Sequence, residues 1–175
     1  MKPLIKYFQK WDSSLCLTIF NWNGRKILDR IMSFASKFGN GYAYPVFGLF
    51  ISIFDSSVFG KIFPAGVASF AVEHTAYKLV KTRIKRLRPS EVIPQIRNLV
   101  SFPDRFSFPS GHTAGAFLMA TLIRHFYPGI DIPLYTAASV IGVSRIYNGV
   151  HYPSDVAAGT VLGIASAKVG IFIAG

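Results

Sequence analysis

The sequence predicts an all-α fold: a polytopic membrane helix bundle of five to six transmembrane helices with interfacial helices at its N-terminus. Three observations predict it. Of 175 residues, 51% are hydrophobic and 15% aromatic, and the mean hydropathy is +0.38, high for a chain that folds in water. The apolar residues gather into runs of helix length. The basic residues cluster where those runs end, and they give a formal net charge of +11. By length a single membrane-embedded domain, 1–175, is expected.

Residues 1–22 mix Lys2, Lys6, Lys10 and Asp12 with Leu4, Ile5, Tyr7, Phe8, Trp11, Leu15, Ile19, Phe20 and Trp22. The apolar run 15–20 is far shorter than the roughly 20 residues a span requires. An amphipathic interfacial helix anchored by Trp11 and Trp22 is therefore expected. Residues 25–37 repeat the theme with a stripe of Ile27, Leu28, Ile31, Met32, Phe34 and Ala35, ended by Gly39-Asn40-Gly41. Such helices either pack on the bundle or line a lipid-entry surface. The N-terminus lacks the apolar core and small-residue cleavage site of a signal peptide, so targeting is expected to come from the membrane helices.

The first apolar run, 42–54, is short unless it extends past Asp55 or the bilayer thins. The second, 59–80, is interrupted by Glu73 and His74. Charge inside a span usually faces protein or water, so both are expected to point into the bundle as structural hydrogen-bonding groups. Runs 111–127, 132–146 and 156–173 follow, the last rich in Gly and Ala, as close packing in lipid prefers. Insertion of 12–22 would add a sixth span. Under either count the segments 81–88, 109–112 and 144–155 end on one membrane face.

Those three segments hold the polar residues that need a reason to be there. Lys78, Lys81, Lys85 and Arg88 share one helical face by their spacing, while Arg83 and Arg86 are expected to look elsewhere and snorkel to headgroups. Pro89 disfavours helix at Arg88. Residues 89–109, with Pro89, Pro94, Pro103 and Pro109, read as a long loop, expected to be a lid or headgroup-selecting wall. Pro109-Ser110-Gly111-His112 opens a helix whose free N–H groups attract anions. Asn148-Gly149 reads as a turn and Pro153-Ser154-Asp155 as a helix start. Asp155 lies four residues after His151, close enough to fix the tautomer of its ring and make the other nitrogen a better nucleophile.

Lys81, Arg88 and Arg145, two histidines, one carboxylate and a helix N-terminus make a phosphate pocket with its own acid and nucleophile. Arginine suits it because its planar fork matches phosphate oxygens. The Ser110 and Gly111 N–H groups and the Ser110 hydroxyl would hold the remaining oxygen. Residue types alone leave His112 and His151 exchangeable, and the nearby carboxylate favours His151 as nucleophile. Ser144 is expected in a helix-end hydrogen bond to a pocket residue, and His74 and His125 are structural. Without a carboxylate cluster for Mg²⁺, and with Cys16 as the sole cysteine, no metal, cofactor or intramolecular disulfide is expected. The charge implies an anionic partner, whether nucleic acid, anionic lipid or a phosphorylated substrate. Apolar runs between the basic clusters favour the lipid bilayer and a membrane lipid phosphate, with no nucleic acid and no obligate protein partner.

In order, Lys81-x6-Arg88-Pro89, then Pro109-Ser110-Gly111-His112, then Ser144-Arg145-x5-His151-x3-Asp155 resembles the three motifs of the type 2 phosphatidic acid phosphatase superfamily, unbroken across residues 81–155. The resemblance implies an integral membrane lipid phosphatase. In it His151 forms a phosphohistidine, Asp155 orients and activates His151, and His112 protonates the leaving oxygen before activating water. Family members act on phosphatidic acid, phosphatidylglycerophosphate, undecaprenyl diphosphate, lipid A 1-phosphate and sugar phosphates. The small size, short N-terminus and surplus Lys78 and Lys85 resemble bacterial members working on cell-envelope lipids. Lipid A 1-phosphate or undecaprenyl diphosphate is the substrate this implies, with phosphatidylglycerophosphate a further candidate.

Two alternatives stand beside it. A vanadate-dependent haloperoxidase-like enzyme would use the same pocket but not the apolar runs, and a non-catalytic cationic membrane protein would bind anionic lipid without releasing phosphate. The implied location is the bacterial inner membrane. The positive-inside rule alone would place the basic catalytic face in the cytoplasm. Several of those cations serve phosphate, and the bacterial relatives imply a periplasmic face, which is the expectation kept.

Overall fold

The structure, a computed structural model, describes residues 3–102 and 104–175, with side chains from residue 7 onward. Lys2 and Pro103, and the side chains of Leu4, Ile5 and Lys6, lie outside the described residues. The described residues form eight α-helices: α1 (Pro3–Phe20), α2 (Lys26–Phe38), α3 (Ala43–Phe54), α4 (Ser56–Ile84), α5 (Pro89–Val92), α6 (Gly111–Phe126), α7 (Asp131–Tyr147) and α8 (Pro153–Ala174). Among the described residues there is no strand.

By length and composition α8 is the one helix among the described residues that is long and apolar enough to cross a membrane. Helix α3 is apolar but has 12 residues. At about 1.5 Å per residue it reaches about 18 Å, against roughly 30 Å of hydrocarbon. It does not extend past Asp55, because Asp55 starts the next helix: its Oδ1 accepts the Val58 N–H at 3.2 Å and the Ser57 hydroxyl at 2.8 Å. The Tyr127 hydroxyl donates to Asp55 Oδ2 at 3.0 Å. The α3–α4 and α6–α7 turns therefore meet at the end of the bundle away from the three motifs.

Helix α8 packs against α4 and α6 at backbone distance, and glycines make that possible. A Cβ on Gly159 would lie 2.5 Å from the Ser110 carbonyl oxygen, one on Gly163 would collide with the Ala114 carbonyl, and one on Gly170 with Ser69. The cluster Ile51, Ile62, Ala65, Leu118, Met119, Leu122 and Ala167 closes the core between α3, α4, α6 and α8. The outer face is not polar. Val46, Leu49, Phe50, Phe54, Phe63, Val67, Val161 and Phe172 are all exposed, more apolar surface than a water-soluble monomer leaves uncovered.

Both N-terminal helices cross the motif-bearing end. Cys16 and Phe20 of α1 are buried with Ile96, Ile146 and Tyr152, and the Asp12 carboxylate accepts the Ser154 N–H at 3.0 Å. Helix α2 crosses the last turns of α7, where Asp29 accepts the Tyr147 hydroxyl at 2.5 Å and the Ser36 hydroxyl accepts from Arg145. The expectation that Glu73 and His74 both face the bundle is half corrected. Consecutive helical residues point about 100° apart, so Glu73 is buried and His74 is exposed.

Candidate active site

The three motif segments converge at the end of the bundle that α1 and α2 cover, and the residues they carry are buried. Lys81, Arg88, Ser110, Arg145, His151 and Asp155 are all buried, while Gly111 and His112 are partly exposed. A buried lysine and two buried arginines need partners, because burying an unpaired charge costs several kcal/mol.

The chain brings Lys81 and Arg88 together by a route other than the one their spacing suggests. Helix α4 stops at Ile84, and Lys85 takes the left-handed conformation with φ 49°. Arg88 then lies in extended backbone ahead of Pro89, whose fixed φ starts α5. Lys81 and Arg88 are therefore not two turns apart on one helix. They meet because both bind Asp104, from the loop before α6. The Lys81 ammonium lies 2.8 Å from Asp104 Oδ1, and Arg88 Nη2 lies 2.7 Å from the same oxygen. Tyr77 donates to Asp104 Oδ2 at 2.6 Å. Burial alone would raise Asp104, but the hydrogen bonds from Lys81 and Tyr77 and the Lys81 and Arg88 charges outweigh it and hold the carboxyl below its usual range.

Arg88 also reaches the third motif. Its Nη1 donates to the Val150 carbonyl at 2.7 Å and lies 3.4 Å from His151 Nε2. The Phe102 ring covers the guanidinium, with 4.2 Å from Cζ to the ring centroid. His151 is buried where α7 gives way to α8, and burial lowers its pKa to about 4, with Asp155 opposing the shift and Arg88 and Arg145 adding to it. His112, in the first turn of α6, lies within electrostatic reach of Arg145, His151 and Arg88. Its Nε2 is 2.8 Å from Asn40 Oδ1.

Three expectations about contacts are corrected. Asp155 does not hold His151 by a hydrogen bond: Oδ2 lies 3.5 Å from Nδ1, and Nδ1 has no partner. The carboxylate is engaged elsewhere, with Oδ2 accepting the Tyr152 N–H at 2.8 Å and Oδ1 accepting Arg86 Nη1 at 2.8 Å. The Ser110 N–H is likewise not free for an anion, because it donates to the Asp155 carbonyl at 3.0 Å. Ser144 bonds its own helix, through the Ile141 carbonyl at 2.6 Å, rather than a pocket residue.

Arg86 is the residue the sequence misplaced most. It does not snorkel outward. After the left-handed turn at Lys85 its Nη2 pairs with Asp12 at 2.6 Å and its Nη1 with Asp155 at 2.8 Å, and it stacks on Tyr152 with 3.7 Å from Cζ to the ring centroid. Asp12, Arg86 and Asp104 are absent from the motifs. The available signal was charge balance: Lys81, Arg86, Arg88 and Arg145 face a single motif carboxylate, Asp155, and the structure adds Asp104 against Lys81 and Arg88 and Asp12 against Arg86. Lys78 and Lys85 are exposed and outside the cage.

Beside the cage lies an open cleft of about 620 Å³, lined by Gly39, Asn40, Tyr42, Glu73, His74, Tyr77, Ser101, Phe102, Gly111 and His112. Of the proposed reacting groups only His112 faces it. His112 thus stands between a buried cationic cage and an open, uncharged-to-acidic cleft.

The helical bundle buries two arginines, a lysine and a histidine together at one end, the arrangement of a class of helical membrane proteins that comparison with known proteins identifies. The chain belongs to the PAP2 superfamily, whose profile matches residues 62–173. It is 32% identical over 151 residues to an undecaprenyl-diphosphatase of Sulfolobus acidocaldarius, covering 83% of this chain and 70% of that one. It is 45% identical to a lipid A 1-phosphatase of Porphyromonas gingivalis over 38% of this chain and 16% of that one, and 36% identical to the bacitracin transport permease protein BcrC of Bacillus licheniformis over 58% and 50%. The chain spans about half the length of BcrC and less of the Porphyromonas protein. The crystal structure of Aquifex aeolicus LpxE superposes with a TM-score of 0.80 at 30% identity, covering 91% of this chain and 93% of that one. A phosphatidylglycerolphosphate phosphatase from Bacillus subtilis shares the fold, with a TM-score of 0.74 at 22% identity, over 95% and 86%.

Proposed function

We propose that this protein is an integral membrane lipid phosphatase that cleaves phosphate from a lipid headgroup through a phosphohistidine on His151, without a metal. The observation that supports this most is the 3.4 Å separation of Arg88 Nη1 and His151 Nε2. A phosphoryl group carried on Nε2 would lie against that guanidinium, and Arg145 and Lys81 supply the further charge that phosphoryl transfer needs. Nε2 attacks phosphorus, the N–P bond forms as the P–O bond to the headgroup breaks, and His112 gives its proton to the departing oxygen. His112 then takes a proton from water as that water attacks phosphorus. The N–P bond breaks, its electron pair returns to His151, and phosphate leaves. Gly111 N–H and the Ser110 hydroxyl hold a phosphate oxygen. Asp155 orients His151, its 3.5 Å approach closing when the ring becomes charged.

The relatives' names support lipid A 1-phosphate or undecaprenyl diphosphate as the substrate, with phosphatidylglycerophosphate a further candidate. Residues 1–175 act as one domain in the bacterial inner membrane. Five helices (α3, α4, α6, α7 and α8) enter the bilayer and α1 and α2 lie at the interface, on the side that faces the periplasm. The tie of Asp12 to Ser154 supports an interfacial α1 over a sixth span. Purified in detergent, the protein should release inorganic phosphate from these lipids, and EDTA should leave the rate unchanged. His151→Ala should fall to background and His112→Ala by roughly 10²–10⁴-fold. Wild-type turnover in either variant, or loss of activity in EDTA, would remove the mechanism.

A further inference from the structure

The cleft beside His112 has a charge opposite in character to the cage behind it. No lysine or arginine lines it, and its one formally charged side chain is Glu73. Glu73 is 7% exposed. Among the described residues its carboxyl forms no salt bridge and no hydrogen bond to the protein, and the residue lines the cleft. The Tyr44 hydroxyl, within electrostatic reach of Glu73, is buried without a partner. Glu73 and His112 line the same cleft, which His151 does not reach.

If His112 protonates the leaving oxygen, the rest of the leaving group lies on the cleft side of His112. We infer that this cleft receives a neutral, hydroxyl-bearing headgroup, a sugar or glycerol, with Glu73 taking its hydroxyl hydrogen bonds, and that it disfavours leaving groups that are themselves phosphates. The inference rests on the phosphatase reading and decides between its candidate substrates. Cleavage of a sugar 1-phosphate or a glycerol phosphomonoester releases a neutral hydroxyl into the cleft. Cleavage of a polyprenyl diphosphate releases a second phosphate, which would meet a carboxyl and no cation there. Asn40, 2.8 Å from His112 Nε2, and Tyr42 add uncharged polar contacts suited to the same hydroxyls.

The test is kcat/KM of the purified full chain in detergent micelles for lipid A 1-phosphate, phosphatidylglycerophosphate and undecaprenyl diphosphate, with wild type, the near-isosteric Glu73→Gln, and Glu73→Ala. Wild type should prefer the two monoesters over the diphosphate by about tenfold or more. Glu73→Ala should lower kcat/KM for the monoesters by roughly tenfold, the worth of one hydrogen bond to a charged group, mainly through KM, and leave the diphosphate unchanged or faster. Glu73→Gln, which keeps an acceptor, should recover part of the monoester loss. A purely structural Glu73 would lower all three substrates together, and that result, or a wild-type preference for the diphosphate, overturns the inference while leaving the phosphatase reading intact. Failure of wild type to release phosphate from any of the three removes the phosphatase reading itself.

Discussion

His151 is the residue on which the chemistry turns, and its burial has a consequence for pH. Its pKa falls from an ordinary 6.5 to about 4, so near neutrality the ring is uncharged and has a free electron pair. The sign for stability follows. Between pH 6.5 and about 4 the unfolded chain binds a proton at this position and the folded one does not, so this contribution is complete above 6.5 and is lost as pH falls through 4. In ¹⁵N-histidine spectra of the detergent-solubilised protein, the His151 signal should stay that of a neutral imidazole down to pH 5; a midpoint near 6.5 would mean that the ring is solvated. Arg86 is the second decisive residue, because it neutralises two fully buried carboxylates, Asp12 and Asp155. Arg86→Met should destabilise by roughly 3–5 kcal/mol, the cost of orphaning a buried charge, and Asp12→Asn in that background should recover part of it. A melting temperature in detergent that does not change on Arg86→Met would show that the pairing contributes nothing.

Between elements, the decisive contacts are backbone contacts, and α8 carries them. Gly159 and Gly163 set it against α6, which places the Ser110 N–H on the Asp155 carbonyl at 3.0 Å. The second and third motifs are thus joined by main chain rather than by a side chain that a substitution could re-aim. Gly163→Leu should therefore abolish the folded, detergent-stable species, while Gly60→Ala, with open space around its Cβ, should keep wild-type stability; equal thermal denaturation of the two would refute the tight-packing account. The Gly and Ala content of the last apolar run made close packing legible in advance. The end of α4 was not legible in the same way. Periodicity extended the helix to Arg88, whereas Lys85 breaks it with a left-handed turn, and nothing in residue type marks a lysine for that conformation. The error sent Arg86 outward, yet Lys81 and Arg88 still meet, because Asp104 rather than helical spacing joins them.

Across the whole molecule, charge is sorted by position. The buried cations and His151 gather at one end behind α1 and α2, apolar side chains cover the outside of the bundle, and Glu73 marks the cleft through which that end opens. The residues of the three motifs, their order and their convergence could be read from the sequence because chemistry demands those types at those intervals. The carboxylates that organise them, Asp12 from 142 residues away from Ser154 and Asp104 from the loop, could not, because a long-range pairing leaves no local pattern. Asp155, expected on His151, is held instead by Arg86 and the start of α8, so its influence on the ring is electrostatic until the ring is charged. The central claim is that the cage exists to hold a phosphoryl group on His151. Millisecond quenching of the wild-type protein into alkali with ³²P-labelled lipid phosphate, followed by peptide mapping, tests it directly: acid-labile, alkali-stable label on the peptide carrying His151 is the predicted result, and label on any other residue, or product formed in a single turnover with no labelled peptide, would contradict it.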